Sequence, residues 1–595
     1  MGRRGGNVVS SDRTNGRRNA QVSAYCQHRT HIGGVNMTIS QVLARAASSS
    51  PTRQLSIVRG GGISESVTYD ALHAEAGEIA SCLKQRGIVQ GERIGLAFPN
   101  SIGFARALFG VLAAGAVAVP LPPPFRFAAL EIHLKRIAMA LEQSAVRLII
   151  ADEKMASLLS PAFATLAESI SVVCVDDMQS KEPTYVDVDD GSPALVQYTS
   201  GTSGTPKGVI LMHANLLSNI EAIKHGLDLS ADDDIGCSWL PLFHDMGLIG
   251  HMLLPVAYGA DNYLMRSEDF LRDPLSWLRA ISDFRATVST APSSAYAHCI
   301  RHIKDEDVRS LDLSRWRLAL NGAEAVDGRI MRQFASKFQP AGFRLSSFLP
   351  VYGLAEAALA VTVPSIGRNP VSVRVNREDL TRGRVTKSSV TDETARELVS
   401  VGVAVSDCEY RLLADDGIRT CEPNEVGEIF VRGSSVSVGY ENSIANSGAS
   451  RRADEWISTG DLGVEIDNEL YIVGRKKEVL VFFGANYYAS DIESVVGALP
   501  GIPSRGVLAT SVPTDHGEGE LLLFIETDEI SEKAKENIAA AVRLAVSSSV
   551  GLSPRYIEFV PKGRIERTSS GKLRRHGIES LVDECLQRTG FQIAD

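Results

Sequence analysis

Tyr198-Thr-Ser-Gly-Thr-Ser-Gly-Thr-Pro-Lys-Gly208 is the stretch that decides how this sequence folds and binds. Its eleven positions contain three glycines, five serines or threonines and one lysine. Glycine lets the backbone approach a ligand closely and turn its N–H groups toward it, and the hydroxyls and the ammonium add further donors. The stretch therefore predicts a loop that binds phosphate groups.

Two other interpretations of this loop are weaker. A Walker loop has the pattern GxxxxGK[ST], but Pro206 stands where that pattern has its second glycine and Gly208 where it has Ser or Thr. A flexible Ser/Gly linker has a similar composition. However, the apolar runs Ala194 to Val196 and Gly208 to Met212 predict strands on both sides of the loop.

Helices and strands alternate along most of the chain. Tyr69 to Arg86 has a helical pattern, whereas Arg93 to Ala97 and Val146 to Ala151 are short apolar runs typical of buried strands. This alternation predicts an α/β fold with parallel sheets. Ala107 to Phe125 is uncharged, but Pro120 and the three prolines at 122 to 124 argue against a membrane helix and favour a packed helix followed by a strand.

The pattern changes in the last third of the chain. From about Glu409 the apolar runs have strand length, as in Glu428 to Arg432 and Glu469 to Val473, which predicts a β-rich subdomain. Beyond Arg475, two helical patterns and one strand pattern predict a smaller α+β domain of about one hundred residues. The five predicted parts are a disordered extension 1–36, a large domain 37–473 with an insertion at 361–405, a hinge 474–478 and a mobile C-terminal domain 479–595.

Seven segments, in this order along the chain, resemble the motifs of the acyl-adenylate-forming superfamily, which includes acyl-CoA synthetases, luciferases and nonribosomal adenylation domains. The first is the loop that ends at Gly208. The other six are Trp239-Leu-Pro-Leu-Phe-His-Asp-Met-Gly-Leu-Ile-Gly250, Asn321-Gly-Ala-Glu324, Tyr352-Gly-Leu-Ala-Glu356, Ser458-Thr-Gly-Asp461, Gly474-Arg-Lys-Lys477 and Arg567-Thr-Ser-Ser-Gly-Lys572.

Three further stretches look most like fatty acyl-AMP ligases, which transfer acyl groups to carrier proteins. They are Pro120 to Arg126, the His-Asp-Met-Gly tetrad at 244 to 247, and Phe270 to Leu278. The polar, weakly patterned segment Val361 to Val405 lies where those ligases carry an insertion that excludes productive use of CoA. Two departures are Ala325, where a proline is expected, and Val403 to Asp407, where relatives carry a Gly-Arg-Pro turn.

The resemblance implies a role for each motif residue in binding ATP and Mg²⁺. Glu356 would be the Mg²⁺ ligand, Tyr352 would stack on adenine with its phenol in water, and Asp461 would accept both ribose hydroxyls. Lys477 would be the hinge residue, and Lys572 would swing onto the α-phosphate and the substrate carboxylate. The remaining nucleotide contacts would be Thr199, Ser200, Gly201, Thr202, Ser203, Gly204, Thr205, Lys207, Asn321, Gly322, Ala323, Gly353 and Arg475.

The acyl end of the site is less defined by the sequence. His244 resembles the residue that gates the acyl tunnel, although a single histidine is more often structural. An apolar pocket is expected. Its candidate residues, most of which are equally consistent with plain core, are Met246, Leu248, Ile249, Met252, Leu253 and Ala291 to Tyr296.

Bulk properties limit the classes of function. A net charge of -10 and a pI of about 5.7 argue against a nucleic-acid surface. The eight cysteines form no CxxC pair, which fits reduced thiols in the cytoplasm and gives no zinc site. Residues 1–36 have no apolar core of a signal peptide.

The sequence thus predicts ATP-dependent activation of a fatty or related carboxylic acid, followed by transfer to the phosphopantetheine thiol of an acyl carrier protein. Two alternatives stay open. An acyl-CoA ligase would share every adenylation residue, and a non-catalytic nucleotide-binding relative would keep the fold. An amino-acid adenylation domain is less favoured, because Phe243 and His244 stand where that group tends to have an amine-binding aspartate.

Overall fold

The structure is a computed structural model. It describes residues 37–123, 134, 137, 138, 141, 142, 144–166, 170–199, 207–389, 391, 392, 394–414, 416–441, 455–482, 485–503, 505–512, 519–528, 531–567, 573–575 and 577–589. The predicted extension 1–36, most of the phosphate loop (200–206) and Lys572 lie outside the described residues.

The strands that flank the phosphate loop belong to a mainly parallel sheet. Pro193–Thr199 and Lys207–Met212 pair antiparallel, with Thr199 opposite Lys207, so residues 200–206 connect the two strands of a hairpin. The predicted flanking strands are therefore confirmed. Within the described residues the spatial order of this sheet is Gly439–Tyr440, Lys207–Met212, Pro193–Thr199, Val117–Leu121, Arg93–Ala97, Leu148–Ala151 and Ser171–Cys174.

A second sheet carries the next three motifs at the carboxyl ends of its strands, and the first of them, Trp239 to Gly250, directly follows Gly236–Ser238. Leu318–Asn321 leads into Asn321-Gly-Ala-Glu324, and Phe348–Pro350 leads toward Tyr352. The spatial order, within the described residues, is Phe348–Pro350, Leu318–Asn321, Val288–Ala291, Gly236–Ser238, Asn262–Met265, Gln54–Arg59 and Gly62–Thr68. All its pairs are parallel except Gln54–Arg59 with Gly62–Thr68.

Helices pack on these sheets. In Tyr69–Gln85 the fully buried residues recur every three or four positions, as in Leu72, Ala76, Ile79 and Leu83, which gives one apolar face for the core. The other helices of this part are Ile39–Ser49, Ile102–Ala113, Glu153–Leu166, His213–Gly226, Asp245–Leu248, Leu254–Tyr258, Ser267–Arg272, Leu275–Asp283, Ser293–His302, Asp305–Val308 and Gly328–Phe338.

The stretch Ala107 to Phe125 forms a packed helix and strand, as predicted, up to the last described residue of that stretch. The helix Ile102–Ala113 approaches Tyr69–Gln85 so closely that a Cβ at Gly110 would lie 2.4 Å from Ile79 Cγ2. The strand Val117–Leu121 that follows is buried at every position. In the described part of the chain, no helix has both the length and the apolar character that crossing a bilayer requires.

The predicted β-rich part is an antiparallel sheet of Cys408–Leu413, Gly427–Gly433, Ile457–Ile466 and Glu469–Arg475. The last strand ends at Arg475, and a 3₁₀ turn, Lys476–Glu478, follows it. The remaining chain is α+β, as predicted. Its elements are the strands Val479–Phe482, Ala485–Tyr488, Val507–Val512, Glu520–Thr527 and Tyr556–Pro561 and the helices Ala489–Gly497, Glu532–Val550 and Glu579–Thr589.

The segment 361–405 is more ordered than its weak sequence pattern indicates. Ser372–Val375 and Arg396–Val399 form a two-stranded antiparallel sheet, and Arg377–Thr381 is a short helix. Their apolar side chains pack with Tyr471 of the β-rich sheet and Tyr488 of the C-terminal part. Each element has only four or five residues, so it is too short to produce a recognisable hydrophobic period.

Candidate active site

A cavity of about 1860 Å³ lies between the two large sheets, the β-rich sheet and the C-terminal part. Residues from all seven motifs, or from their described neighbours, line it. The predicted site residues among them are Thr199, Lys207, His244, Ala323, Tyr352, Gly353, Glu356, Asp461, Arg475 and Lys477. The predicted contacts Ser200, Gly201, Thr202, Ser203, Gly204, Thr205 and Lys572 lie outside the described residues.

Lys207 and Glu356, the predicted phosphate and magnesium ligands, are joined by a tyrosine. The Tyr440 hydroxyl donates a hydrogen bond of 2.7 Å to Glu356 Oε1. The Lys207 ammonium lies 5.1 Å from the centre of the same tyrosine ring, within the range of a cation–π contact. Tyr440 is held there because the short strand Gly439–Tyr440 pairs with Lys207–Met212, with Tyr440 opposite Val209. The sequence analysis did not identify Tyr440.

Glu356 fits the role of a Mg²⁺ ligand. It lies in the 3₁₀ turn Ala355–Ala357 at the cavity wall, and its backbone carbonyl accepts a hydrogen bond from Ser437 N. Mg²⁺ that acts on nucleotide phosphates is usually bound by one or two protein carboxylates together with those phosphates, so a single carboxylate in the cavity lining can hold it. In the described part of the chain no group of three His, Cys, Asp or Glu side chains forms a separate metal site.

Tyr352 and Asp461 form a second pair. The Tyr352 hydroxyl donates a hydrogen bond of 2.8 Å to Asp461 Oδ2. The expectation that this phenol stays in water is therefore wrong: Tyr352 is 8% exposed, and burial, followed by the charge of Asp461, raises the pKa of its phenol well above the usual value. The ring still lines the cavity, as stacking on a base requires.

Asp461 also contacts Arg475. The two residues stand opposite each other in the antiparallel strands Ile457–Ile466 and Glu469–Arg475, with Arg475 Nε 3.3 Å from Asp461 Oδ1. The strand register thus brings together a carboxylate and a guanidinium that the sequence separates by a turn. A carboxylate oxygen can accept hydrogen bonds from ribose hydroxyls, and a guanidinium can bind phosphate oxygens.

The Asn321-Gly-Ala segment faces the cavity only at its end. Ala323 lines the cavity and has a φ of +65°, whereas Asn321 is fully buried and accepts a hydrogen bond from Ser293 Oγ. Gly322 packs against Val351. At Gly353, which lines the cavity, a Cβ would lie 1.8 Å from the Leu359 carbonyl oxygen, so only glycine fits there.

His244 lies at the cavity wall, as expected of a gating residue. It is the N-cap of the helix Asp245–Leu248, and its Nδ1 is 2.5 Å from Asp245 Oδ1. The same carboxylate oxygen accepts a hydrogen bond from Met246 N. Asp245 therefore fixes the orientation of the His244 ring at the cavity wall.

Part of the cavity lining is apolar. Of the predicted acyl-pocket residues, Met246, Ser293 and Ser294 line the cavity. Leu248, Ile249, Met252, Leu253, Ala291, Ala295 and Tyr296 are instead buried in the hydrophobic core. The apolar lining comes mainly from residues that the sequence did not indicate, namely Ile223, Leu227, Leu254, Val288, Leu320, Val351, Leu359 and Val363.

The C-terminal part closes one side of the cavity. Arg567, Leu573, Arg574 and Arg575 line it, so the residues on both sides of Lys572 reach the site. Arg575 forms hydrogen bonds of 2.7 and 2.8 Å to the two oxygens of Glu493 and lies 3.6 Å from Glu478, in the turn after Arg475. Arg575 thereby links the end of this loop to the predicted hinge.

The cavity thus combines two environments suited to different parts of a substrate. Part of the lining is charged, with a lysine, an arginine and a carboxylate that suit phosphates and a cation. Another part of the lining is apolar and suits a hydrocarbon chain. A carboxylate that reacts with a nucleotide phosphate would have its two halves in these two environments.

Comparisons with known proteins agree with this arrangement. JamA of Moorena producens, named as a medium-chain-fatty-acid–[acyl-carrier-protein] ligase, is 34% identical over 545 residues, covering 87% of this chain and 91% of that protein. A 4-hydroxyphenylalkanoate adenylyltransferase of Mycobacterium tuberculosis is 32% identical over 576 residues, covering 90% of each.

Among solved structures, one from a study of fatty acyl-adenylate ligases from E. coli and L. pneumophila matches with a TM-score of 0.85 and 29% identity. The match covers 94% of this chain and 100% of that chain, so the predicted α/β fold with its smaller C-terminal part is confirmed. Residues 43–441 match the family described as AMP-binding enzyme. The chain therefore belongs to the AMP-binding enzyme family, within the acyl-adenylate-forming superfamily that its motifs resemble.

Proposed function

We propose that this protein activates a fatty or related carboxylic acid as acyl-AMP and then transfers the acyl group to the phosphopantetheine thiol of an acyl carrier protein. The observation that carries the proposal is one cavity whose lining includes the charged residues Lys207, Glu356 and Arg475 and an apolar set, here called the apolar chamber, that consists of Ile223, Leu227, Leu254, Val288, Leu320, Val351, Leu359 and Val363. An acyl adenylate has this same division between an anionic nucleotide and a hydrocarbon chain.

In the first step a carboxylate oxygen of the acid attacks the α-phosphorus of ATP, and the bond to pyrophosphate breaks. Two anions must approach each other, so cations and aimed dipoles lower the barrier more than proton transfer does. Lys207 and the loop 200–206 would hold the β- and γ-phosphates, and Lys572 would contact the α-phosphate and the carboxylate. Tyr352, Asp461 and Arg475 would hold the adenosine.

Glu356 would hold Mg²⁺ together with the phosphates. The ion would offset the negative charge of the pyrophosphate leaving group. Tyr440 leaves one oxygen of Glu356 outside its hydrogen bond, because it donates to Oε1 alone. Glu356 can therefore bind a cation without losing the contact that orients it.

In the second step the thiol sulfur attacks the acyl carbonyl carbon, and AMP leaves. The side of the cavity that Arg567, Leu573, Arg574 and Arg575 line must open for a phosphopantetheine arm to enter. We propose that the part from 479 onward rotates about 474–478, where the strand Glu469–Arg475 ends in a 3₁₀ turn. The part before this hinge, 37–473, would stay fixed.

The segment 361–405 supports a carrier protein as the acceptor. Arg377 Nη1 and Arg396 Nη2, both in this segment, lie 3.2 and 3.0 Å from the carboxylate of Asp491 in the C-terminal part. Arg396 also lies 5.0 Å from the centre of the Tyr488 ring. These contacts oppose the rotation. A docked carrier protein can offset their free energy with its own interface, and docking gives its thiol a high effective concentration. Free CoA has no such interface and therefore no such compensation.

The experiment is a profile of carboxylic acids by pyrophosphate release, followed by thioester formation with CoA or with a carrier protein in its phosphopantetheine form. We expect pyrophosphate release with fatty acids and thioester formation mainly on the carrier. Equal rates with CoA would favour the acyl-CoA ligase alternative, and nucleotide binding without release would favour the non-catalytic one. We further propose that the reaction occurs in the cytoplasm, where ATP is available and thiols stay reduced.

A further inference from the structure

Thr290 and His251 form a buried polar pair in the wall of the cavity. Thr290 Oγ1 and His251 Nε2 are 2.8 Å apart, and both residues line the cavity. Apolar side chains, including Leu254, Val288 and Leu320, line the same cavity. A chamber for a plain alkyl chain needs no polar group at this position, so the pair calls for a specific explanation.

His251 is neutral and has one nitrogen without a partner. The residue is 2% exposed, and burial lowers its pKa to about 4, so at neutral pH the ring carries a single N–H. Its Nδ1 has no hydrogen-bond partner within the described part of the chain. His251 lies in the five-residue π-helical turn Ile249–Leu253, a rare geometry that is frequent at functional sites.

The tautomer of His251 decides what Thr290 can do. If the proton were on Nδ1, a buried N–H would have no acceptor, which is costly. With the proton on Nε2, the histidine donates to Thr290 Oγ1, and the Thr290 hydroxyl hydrogen is free to turn elsewhere. The second arrangement leaves its unpaired donor on Thr290, at the cavity wall, where a ligand can accept it.

The strand register places Thr290 below the nucleotide end of the site. In the parallel pair Val288–Ala291 and Leu318–Asn321, Ala291 stands opposite Asn321, which begins the predicted adenine segment, and Thr290 stands opposite Leu320. Thr290 therefore lies one residue further from the carboxyl end of the sheet than the level at which the predicted adenine segment begins. A group that reaches Thr290 belongs to the acyl chain.

Resting on the proposed function, we infer that this enzyme prefers an acyl chain with a hydroxyl substituent, whose oxygen accepts a hydrogen bond from Thr290, which His251 orients. Thr290 is then a specificity-determining residue. A site built to hydrogen-bond a substrate hydroxyl discriminates strongly against the analogue that lacks it, because its own donor then stays unpaired in an apolar wall.

The test compares dodecanoic acid with a positional series of monohydroxylated dodecanoic acids by ATP–pyrophosphate exchange. For the wild-type enzyme we expect the kcat/KM of at least one hydroxylated isomer to exceed that of dodecanoic acid by about tenfold or more. This is about the factor that the free energy of one hydrogen bond contributes. Thr290→Val, which keeps the shape and removes the hydroxyl, should abolish this preference, so that the kcat/KM ratio of hydroxylated to plain dodecanoic acid falls to about one. Thr290→Ser, which keeps a hydroxyl, should retain the preference.

A melting curve of each variant reports whether it folds. If Thr290→Val does not fold, Thr290→Ala provides the same test, because it also lacks the hydroxyl. The inference is overturned if no isomer exceeds dodecanoic acid, or if the preference survives without the Thr290 hydroxyl; the pair is then purely structural. Failure of every acid in the exchange assay would contradict the proposed function itself and the inference with it. Equal use of plain and hydroxylated acids would contradict the inference alone.

Discussion

At the scale of single residues, the site depends on side chains that orient other side chains. Tyr440 contacts Glu356 through its hydroxyl and Lys207 through its ring, so one residue acts on both the cation site and the phosphate site. Asp245 has a similar role toward His244. Such supporting contacts hold the groups that meet the substrate within the narrow geometry that catalysis requires.

The two contacts of Tyr440 can be separated by substitution. Tyr440→Phe keeps the ring over Lys207 and removes the hydrogen bond to the Glu356 carboxylate, a type of bond that contributes about 1.5 kcal/mol or more. We expect kcat/KM for ATP to fall about tenfold, and to fall further in Tyr440→Leu, which loses both contacts. Titration of ATP and of Mg²⁺ in the pyrophosphate-release assay measures this, and wild-type behaviour of Tyr440→Phe would show that the hydroxyl has no role.

Lys572 should serve only the adenylation step, because its described neighbours Leu573 and Arg574 line the cavity in the arrangement seen here. Lys572→Ala should raise the barrier to acyl-AMP formation by about 2.7 to 4 kcal/mol, as for a typical charge-stabilising donor. Transfer from preformed acyl-AMP to the carrier should continue. The two half-reactions are measured separately, and an equal loss in both would refute the assignment.

At the scale of elements, strand pairing brings the motifs together, and two segments lie where the parts of the molecule meet. The strand pairs place Asp461 opposite Arg475 and Thr199 opposite Lys207. The segment 361–405 contacts both the β-rich sheet and the C-terminal part. The turn Lys476–Glu478 lies where these two parts meet.

Breaking the contact between the segment 361–405 and the C-terminal part should increase the use of CoA. Asp491→Asn removes the charge that both Arg377 and Arg396 face, and leaves those guanidinium groups without their partner. We expect the ratio of CoA thioester to carrier thioester to rise, with acyl-AMP formation retained. The matched control is Arg382→Gln, since Arg382 pairs only locally with Glu378 on an exposed surface, and an equal rise there would contradict the prediction.

The hinge can be tested at Lys477. Lys477→Pro fixes φ near one value, so the C-terminal part should be held in one orientation, with acyl-AMP formation preserved and thioester formation blocked. Lys477→Ala, which keeps the backbone free, serves as the control and should carry out both steps. If the proline variant forms thioester at the wild-type rate, the rotation occurs at another position.

At the scale of the whole molecule, contacts between the C-terminal part and the large domain close the cavity on one side. Arg505 of the C-terminal part contacts Ser294 Oγ and Glu324 Oε1. Glu324 is the last residue of the motif Asn321-Gly-Ala-Glu324. The Arg505 carbonyl in turn accepts a hydrogen bond from Arg567. This set of contacts holds the C-terminal part against the cavity, and we expect acyl-AMP to form in this arrangement.

Arg505→Ala should therefore slow acyl-AMP formation and spare the transfer step. The Arg505 side chain is 42% exposed, and a pair of this exposure is worth at most about 1 kcal/mol, so we expect an effect of about fivefold that shrinks as salt increases. The control is Arg555→Ala, because Arg555 pairs with Glu520 inside the C-terminal part. An unchanged rate of acyl-AMP formation in Arg505→Ala would show that this contact does not hold the closed arrangement.

The sequence by itself predicted the α/β class, the β-rich part, the strands beside the phosphate loop and the family, because these depend on local periodicity and on contiguous motifs. It did not indicate Tyr440, the pair of Tyr352 with Asp461, or most of the chamber wall. Tyr440 and Glu356 are separated by 84 residues, and Tyr352 and Asp461 by 109. Contacts across such separations depend on how sheets and turns are placed relative to one another, and no local pattern encodes that placement, so only the tertiary structure decided which side chains meet in the site.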